Sequence, residues 1–206
     1  KQPAKAAALY ARVPNDPAAQ ERRGVLLLDA GDLPGAIEVL EGARAKSPSP
    51  AILYALATAY LRDKKPEKSL PLAAQLVQAE PANFDMRMFY GRLLRDQKRY
   101  DEAVQQFYAA VQQRKDSPEA WNEFTAMLIL LKKYDMALTA LEKVKAMNGE
   151  TPAYFYFRAI MLDAMAQHQP ALDSYQSFLA VAGGKFPDEE WKARQRVDAL
   201  KKAVRR

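Results

Sequence analysis

Apolar residues recur at helical spacing along almost the whole chain, in pairs of segments separated by short polar turns. The clearest pair spans residues 84–110, where Leu93 and Leu94 lie in one run, Tyr100 and Phe107 lie in the next, and the polar stretch 96–98 separates them. Apolar residues three or four positions apart share one face of an α-helix. The pattern therefore predicts two amphipathic helices joined by a tight turn.

Small and large residues repeat along the chain with a period close to 34. One column of small residues has spacings of 33, 34, 34 and 34 and contains Gly24, Ala57, Gly91, Thr125 and Ala159. A second small column contains Ala36, Ser69, Ala103, Ala137 and Ala171, and a column of large residues contains Leu27, Tyr60, Leu94, Leu128 and Leu162. A glycine inside a helix costs roughly 1 kcal/mol relative to alanine, so it is tolerated mainly where a neighbouring backbone comes close. The columns predict five packed helical repeats.

Residues that favour helix N-termini support the same register. A good N-cap precedes each predicted first helix, at Asp16, Ser49, Asn83, Ser117 and Thr151, and four of the five are followed by proline. Proline at the first helical position loses no hydrogen bond. First helices are thus predicted from Pro17, Pro50, Phe84, Pro118 and Pro152, and second helices from near Pro34, Pro66, Asp101, Asp135 and Gln169.

These columns and their period resemble the tetratricopeptide repeat (TPR) family. The resemblance implies an all-α fold, an α-α superhelix in which antiparallel helix pairs stack into a right-handed TPR solenoid. The five repeats would span about 17–49, 50–83, 84–117, 118–151 and 152–184, within 15–184. Residues 185–206 would form a C-terminal capping helix with an apolar stripe of Trp191, Val197, Leu200 and Val204.

Residues 1–14 admit two interpretations. An Ala-rich helical run ends at Val13-Pro14, three residues before the first repeat begins at Pro17. It is either the second helix of an incomplete repeat, with more sequence upstream, or an N-terminal capping helix.

Composition excludes several kinds of site. The 206 residues are 49% hydrophobic, contain no cysteine and carry a net charge of +6. Disulfides and thiolate metal sites are excluded. No apolar run reaches 18 residues, so we expect a soluble, cytoplasmic or periplasmic chain without a signal or transmembrane segment.

No arrangement of residues suggests catalysis, so the chain is predicted not to be an enzyme and to use no cofactor or metal. Its one histidine, His168, falls in a repeat column and is predicted to pack there. The C-terminal lysines and arginines are interspersed with acidic residues, and Trp191 is the only aromatic residue beside them that could stack on a nucleobase. This composition argues against nucleic-acid binding. The candidate bases are Lys192, Arg194, Arg196, Lys201, Lys202, Arg205 and Arg206.

The resemblance implies that first helices line a concave groove in which a partner binds. The register projects onto it a set of polar and aromatic side chains: Tyr54, Thr58, Met88, Arg92, Arg95, Asn122, Glu123, Tyr156 and Ile160. An asparagine amide both donates and accepts, which suits a peptide backbone. Phe89 and Phe157 also project inward, with packing between repeats as the alternative.

One TPR subtype holds acidic chaperone tails in a clamp of Lys, Arg and Asn. The matching positions here hold Glu21, Val25, Ala55, Asp85 and Phe89, so the carboxylate clamp is excluded. The leading functional hypothesis is a non-enzymatic protein–protein interaction scaffold that binds a peptide or protein segment in the groove. The alternatives are an accessory module of a longer protein, and self-association through the N-terminal helix into a homo-oligomer.

Overall fold

A computed structural model describes residues 2–205, which form twelve α-helices and no β-strand. The first six are α1 (Gln2–Tyr10), α2 (Pro17–Ala30), α3 (Leu33–Lys46), α4 (Pro50–Arg62), α5 (Pro66–Ala79) and α6 (Phe84–Asp96). The others are α7 (Tyr100–Gln113), α8 (Pro118–Leu130), α9 (Tyr134–Asn148), α10 (Pro152–Ala164), α11 (His168–Ala182) and α12 (Pro187–Val204). The predicted all-α class is confirmed.

The chain divides into two units, Lys1–Arg99 and Tyr100–Arg206. The first contains α1 to α6 and the second α7 to α12. Within each unit, helices adjacent in sequence pack together across short connections, which makes them antiparallel neighbours. This stacking of helix pairs is the architecture of an α-helical repeat solenoid. The boundary between the units falls in the turn after α6, so each unit receives one helix of the predicted third repeat.

Local capping chemistry explains where the helices begin. The Asp16 side chain accepts from the backbone N–H of Ala18 at 2.9 Å, and Ser49 Oγ accepts from the N–H of Ile52 at 3.1 Å. Such caps satisfy N–H groups that have no partner within the helix. All five predicted first-helix starts are confirmed, and the second helices start within one residue of prediction.

Four of the short connections between a first helix and the second helix that follows it use an unusual backbone conformation. One residue in each has φ between 56° and 58°, and these residues are Lys64, Lys98, Lys132 and Ala166, spaced by 34. In the first pair a glycine, Gly31, has the positive φ instead. The next residue donates its N–H at 2.9 Å to the carbonyl of the large-residue column, as Arg99 does to Leu94. The turn is therefore repeated together with the core.

Small side chains allow the helices to approach closely. Ala57, Ala103 and Ala159 are fully buried. A Cβ built on Gly24 of α2 would overlap the side chain of Leu40 in α3, which is itself fully buried. The predicted small-residue columns thus lie in the core.

Helix α12 covers the last helix pair through an apolar stripe and one ion pair. Ala193, Val197 and Leu200 are buried in the core cluster that includes residues of α10 and α11. Arg196 donates from Nε and Nη2 to the two carboxylate oxygens of Asp163 in α10, each at 2.7 Å. The predicted stripe was partly wrong, because Val204 is 40% exposed and Trp191 is 63% exposed. Its ring lies outside the packed face of the helix.

Candidate functional site

In the first unit, the predicted groove residues lie on α4 and α6. Tyr54 of α4 is 42% exposed, and its ring meets Phe89 of α6 edge-on with centroids 5.2 Å apart. Thr58 is half-buried and donates its hydroxyl at 2.8 Å to the Tyr54 carbonyl one turn earlier. The structure therefore links α4 and α6 through an aromatic pair that remains partly open to solvent.

The other predicted residues of α6 differ in accessibility. Met88 is only 2% exposed, so its side chain is part of the core and does not lie on an open surface. The helical register placed it on the inner face, but neighbouring side chains cover it. Arg92 and Arg95 are half-buried, and the Arg95 guanidinium donates to Asp96 at 2.9 Å. The prediction for Met88 therefore requires correction.

In the second unit, the predicted residues lie on α8 and α10. Asn122 is exposed, while Glu123, Tyr156 and Ile160 are half-buried. Within residues 2–205, no hydrogen bond engages the Asn122 side-chain amide. Both its donor and its acceptor are therefore available to an incoming backbone.

An aromatic pocket opens beside Tyr156, between α10, α11 and the start of α12. Its volume is about 260 Å³, and its lining consists of Ala153, Tyr156, Phe157, Phe178, Phe186 and Glu189. The Tyr156 ring lies 4.9 Å from that of Phe178 and 6.1 Å from that of Phe157, measured between centroids. Phe178 in turn lies 6.3 Å from Phe186. We call this site the aromatic pocket.

The pocket places a carboxylate close to the predicted groove tyrosine. Burial raises the pKa of the Tyr156 phenol, and the nearby negative charge of Glu189 raises it further. Sequence reasoning identified Tyr156 but missed Phe186 and Glu189, which lie outside the repeats. A signal was available in Phe186, a large aromatic residue in the short connection 183–186 between α11 and α12.

A second apolar pocket, of about 200 Å³, lies on α7, α8 and α9. It includes the exposed side chains of Tyr108 and Met136, with Phe124 beneath them. None of its lining residues belongs to the predicted groove set.

Other candidate chemistry has little structural support. His168 is exposed at the start of α11, so the prediction that its ring packs in its repeat column was wrong. In residues 2–205, no group of three or more histidine, aspartate or glutamate side chains is placed to hold a metal ion. Two of the candidate C-terminal bases are engaged within the chain, Arg194 with Glu190 and Arg196 with Asp163; Arg206 lies outside the described residues.

None of the twelve described helices is long and apolar enough to cross a membrane.

Comparisons with known proteins agree with this architecture. A tetratricopeptide repeat model matches residues 2–50 and 54–118, and a second matches residues 94–160. No curated protein sequence matches the chain.

Several solved structures are similar in fold at low sequence identity. YrrB, whose structure is described as "a TPR protein with an unusual peptide-binding site", is 16% identical with a TM-score of 0.75, covering 94% of this chain and 96% of its own. The C-terminal part of a TPR repeat-containing protein from Cytophaga hutchinsonii is 17% identical with a TM-score of 0.76, covering 98% and 88%. MamA from AMB-1 is 21% identical with a TM-score of 0.66, covering 73% and 85%. Because the first family model covers more than half of the residues, the chain belongs to the tetratricopeptide repeat family.

Proposed function

We propose that the chain is a non-enzymatic protein-interaction scaffold that binds a peptide or protein segment in the concave groove expected of its family. TPR proteins are generally non-catalytic scaffolds. The observation that carries the proposal is the exposure of aromatic side chains on first helices. Tyr54 of α4 and Phe157 of α10 are each 42% exposed.

Exposed aromatic rings next to polar groups are typical of binding surfaces. Tyrosine, phenylalanine and arginine are enriched in interface cores. The aromatic rings bury much apolar area with few rotatable bonds, and arginine adds a planar guanidinium with five hydrogen-bond donors. Asn122 adds an unengaged amide on α8. The peptide-binding site described for YrrB, which shares this fold, is compatible with the proposal.

The partner we propose is not an acidic chaperone tail. Two of the positions where a carboxylate clamp would place its basic and amide side chains are already used differently. Glu21 accepts a hydrogen bond from Ser49 Oγ at 3.0 Å, and Phe89 packs against Tyr54. A carboxylate facing Glu21 would be repelled, and Phe89 offers no donor to hold it.

Selection from a display library of random peptides tests the proposal. The immobilised full chain should enrich a family of peptides that share a motif, and synthetic copies should bind the chain in solution. Calorimetry then gives the affinity and the stoichiometry, for which one peptide per chain is expected. Failure to enrich any peptide that binds in solution would overturn the proposal.

Self-association through α1 is a second candidate function. Leu9 is 62% exposed and Val13, just after the helix, is 47% exposed, which leaves apolar surface at this end of the first unit. If this surface pairs two copies, Leu9→Glu should lower the mass measured by light scattering to that of one chain. Lys5→Glu, an exposed change on the same helix, should leave the mass unchanged. A parent chain that is monomeric at every concentration would exclude this candidate.

A further inference from the structure

We propose that the aromatic pocket receives a lysine or arginine side chain of the bound segment. The aliphatic part of that side chain would lie against the rings of α10 and α11, with the cationic head at the Glu189 carboxylate. The inference rests on the proposed function, since Tyr156 belongs to both the pocket and the expected groove. It adds the chemistry of one partner residue and the side chains that recognise it.

The walls of the pocket suit a cation as well as an apolar chain. Four aromatic rings line the pocket, with 4.9 to 6.3 Å between the centroids of neighbouring rings: Tyr156, Phe157, Phe178 and Phe186. The face of an aromatic ring carries negative potential, which attracts an ammonium or guanidinium group placed within about 6 Å of its centre. Apolar contact alone would favour any hydrophobic side chain, so the charge at the rim decides the specificity.

Among residues 2–205, Glu189 is the one charged side chain that lines the pocket. It is half-buried, and no hydrogen bond or ion pair within residues 2–205 neutralises it. Its neighbour Glu190 is different, because its carboxylate accepts from Arg194 at 3.0 Å. A negative charge beside four rings, without a cationic partner in the described chain, is complementary to a cation and would repel an acidic side chain.

Three of the acidic side chains of α12 lie at the end of the helix that is next to the pocket. The first turn of the helix holds Asp188, Glu189 and Glu190, whereas its last turn holds Lys201 and Lys202. The chain as a whole carries a net charge of +6, so the Glu189 carboxylate at the pocket is opposite in sign to the net charge. The pocket volume of about 260 Å³ is also sufficient, since an engineered cavity of about 150 Å³ already admits benzene.

The experiment repeats the peptide selection on the parent chain and on Glu189→Gln. The matched control is Asp188→Asn, which removes one negative charge from the same turn but does not line the pocket. The parent and the control should enrich peptides with lysine or arginine at one shared position. Glu189→Gln should enrich peptides without that preference.

Synthetic peptides then measure the effect of the cation directly. The selected basic residue is made as lysine and as norleucine, which keeps the aliphatic stem and lacks the ammonium group. The parent and Asp188→Asn should bind the lysine peptide at least about tenfold more tightly than the norleucine peptide, because a hydrogen bond between two charged groups is stronger than one between neutral groups. Glu189→Gln should lose most of this ratio. Phe157→Leu keeps an apolar lining but removes one ring face, and it should lower the ratio of lysine-peptide to norleucine-peptide affinity by at least about twofold.

The outcomes separate the inference from the function on which it rests. If no peptide binds the parent chain, the proposed scaffold function fails and the inference fails with it. If peptides bind but share no basic residue, or if Glu189→Gln preserves the lysine preference, the scaffold function stands and the inference is wrong. A shared apolar or aromatic residue at that position would identify the pocket as a purely hydrophobic one.

Discussion

Gly24→Leu should destabilise the protein by about 1–3 kcal/mol, whereas Gly42→Leu should leave its stability unchanged or raise it. Both glycines lie inside helices, Gly24 in α2 and Gly42 in α3. A Cβ at Gly24 would overlap Leu40, while a Cβ at Gly42 meets nothing within 4 Å. Overpacking a core typically costs about 1–3 kcal/mol, and removing a helical glycine gains roughly 1 kcal/mol.

The loss at Gly24 should extend beyond α2 and α3. Leu40 belongs to a buried cluster with Leu53 and Leu56 of α4 and Leu76 of α5. In repeat proteins each unit is stabilised mainly by its neighbours, so disturbance at one interface weakens the next. Urea denaturation followed by circular dichroism measures the free energy of unfolding of both variants. Equal destabilisation by the two substitutions would mean that the α2–α3 approach is not the constraint at Gly24.

Tyr54→Ala combined with Arg92→Glu should weaken the binding of selected peptides by at least about thirtyfold. Tyr54 offers a partly exposed ring on α4, and Arg92 lies on α6, where its planar guanidinium suits a carboxylate or several carbonyls. Truncating a central interface residue commonly costs about 2 kcal/mol or more, whereas peripheral residues cost little. Calorimetry on the parent and variant proteins gives the ratio of dissociation constants.

Loss of folding must be separated from loss of binding in this variant. Tyr54→Ala removes an aromatic pair with Phe89, which contributes about 0.5–1.5 kcal/mol, so a small fall in melting temperature is expected with helicity retained. Lys201→Glu with Lys202→Glu changes two exposed residues of α12 and should leave the affinity nearly unchanged. The reverse pattern would assign binding to the basic end of the chain: loss of binding in the double variant of α12 and its retention in the double variant of Tyr54 and Arg92.

The helices were predictable because their signals are local and repeated. N-caps such as Ser49 and Thr151 lie next to the helices that they begin, and the period near 34 aligns five weak signals into one strong one. The turns were less visible, because Lys64, Lys98 and Lys132 have the positive φ that glycine or asparagine usually signals. Their spacing of 34 is nevertheless present in the sequence.

For the candidate site, the repeat register predicted the solvent exposure of some side chains and failed for others. Tyr54 of α4 and Asn122 of α8 are exposed to solvent. Met88 occupies the equivalent position of α6, but neighbouring side chains cover it. Phe186 and Glu189 were missed because they follow the last repeat, where no register applies. Only the docking of α12 brings them next to Tyr156, and that docking depends on contacts distant in sequence, such as Arg196 with Asp163.

Hydrogen exchange of the full chain with and without a selected peptide tests the groove proposal most directly. Binding slows exchange where the peptide orders or covers the backbone, and mass spectrometry assigns that protection to individual helices. We expect protection on the first helices, in α4 and α6 of the first unit and in α8 and α10 of the second. Protection confined to the C-terminal half of α12, or to α7 and α9 around Tyr108 and Met136, would contradict the groove proposal.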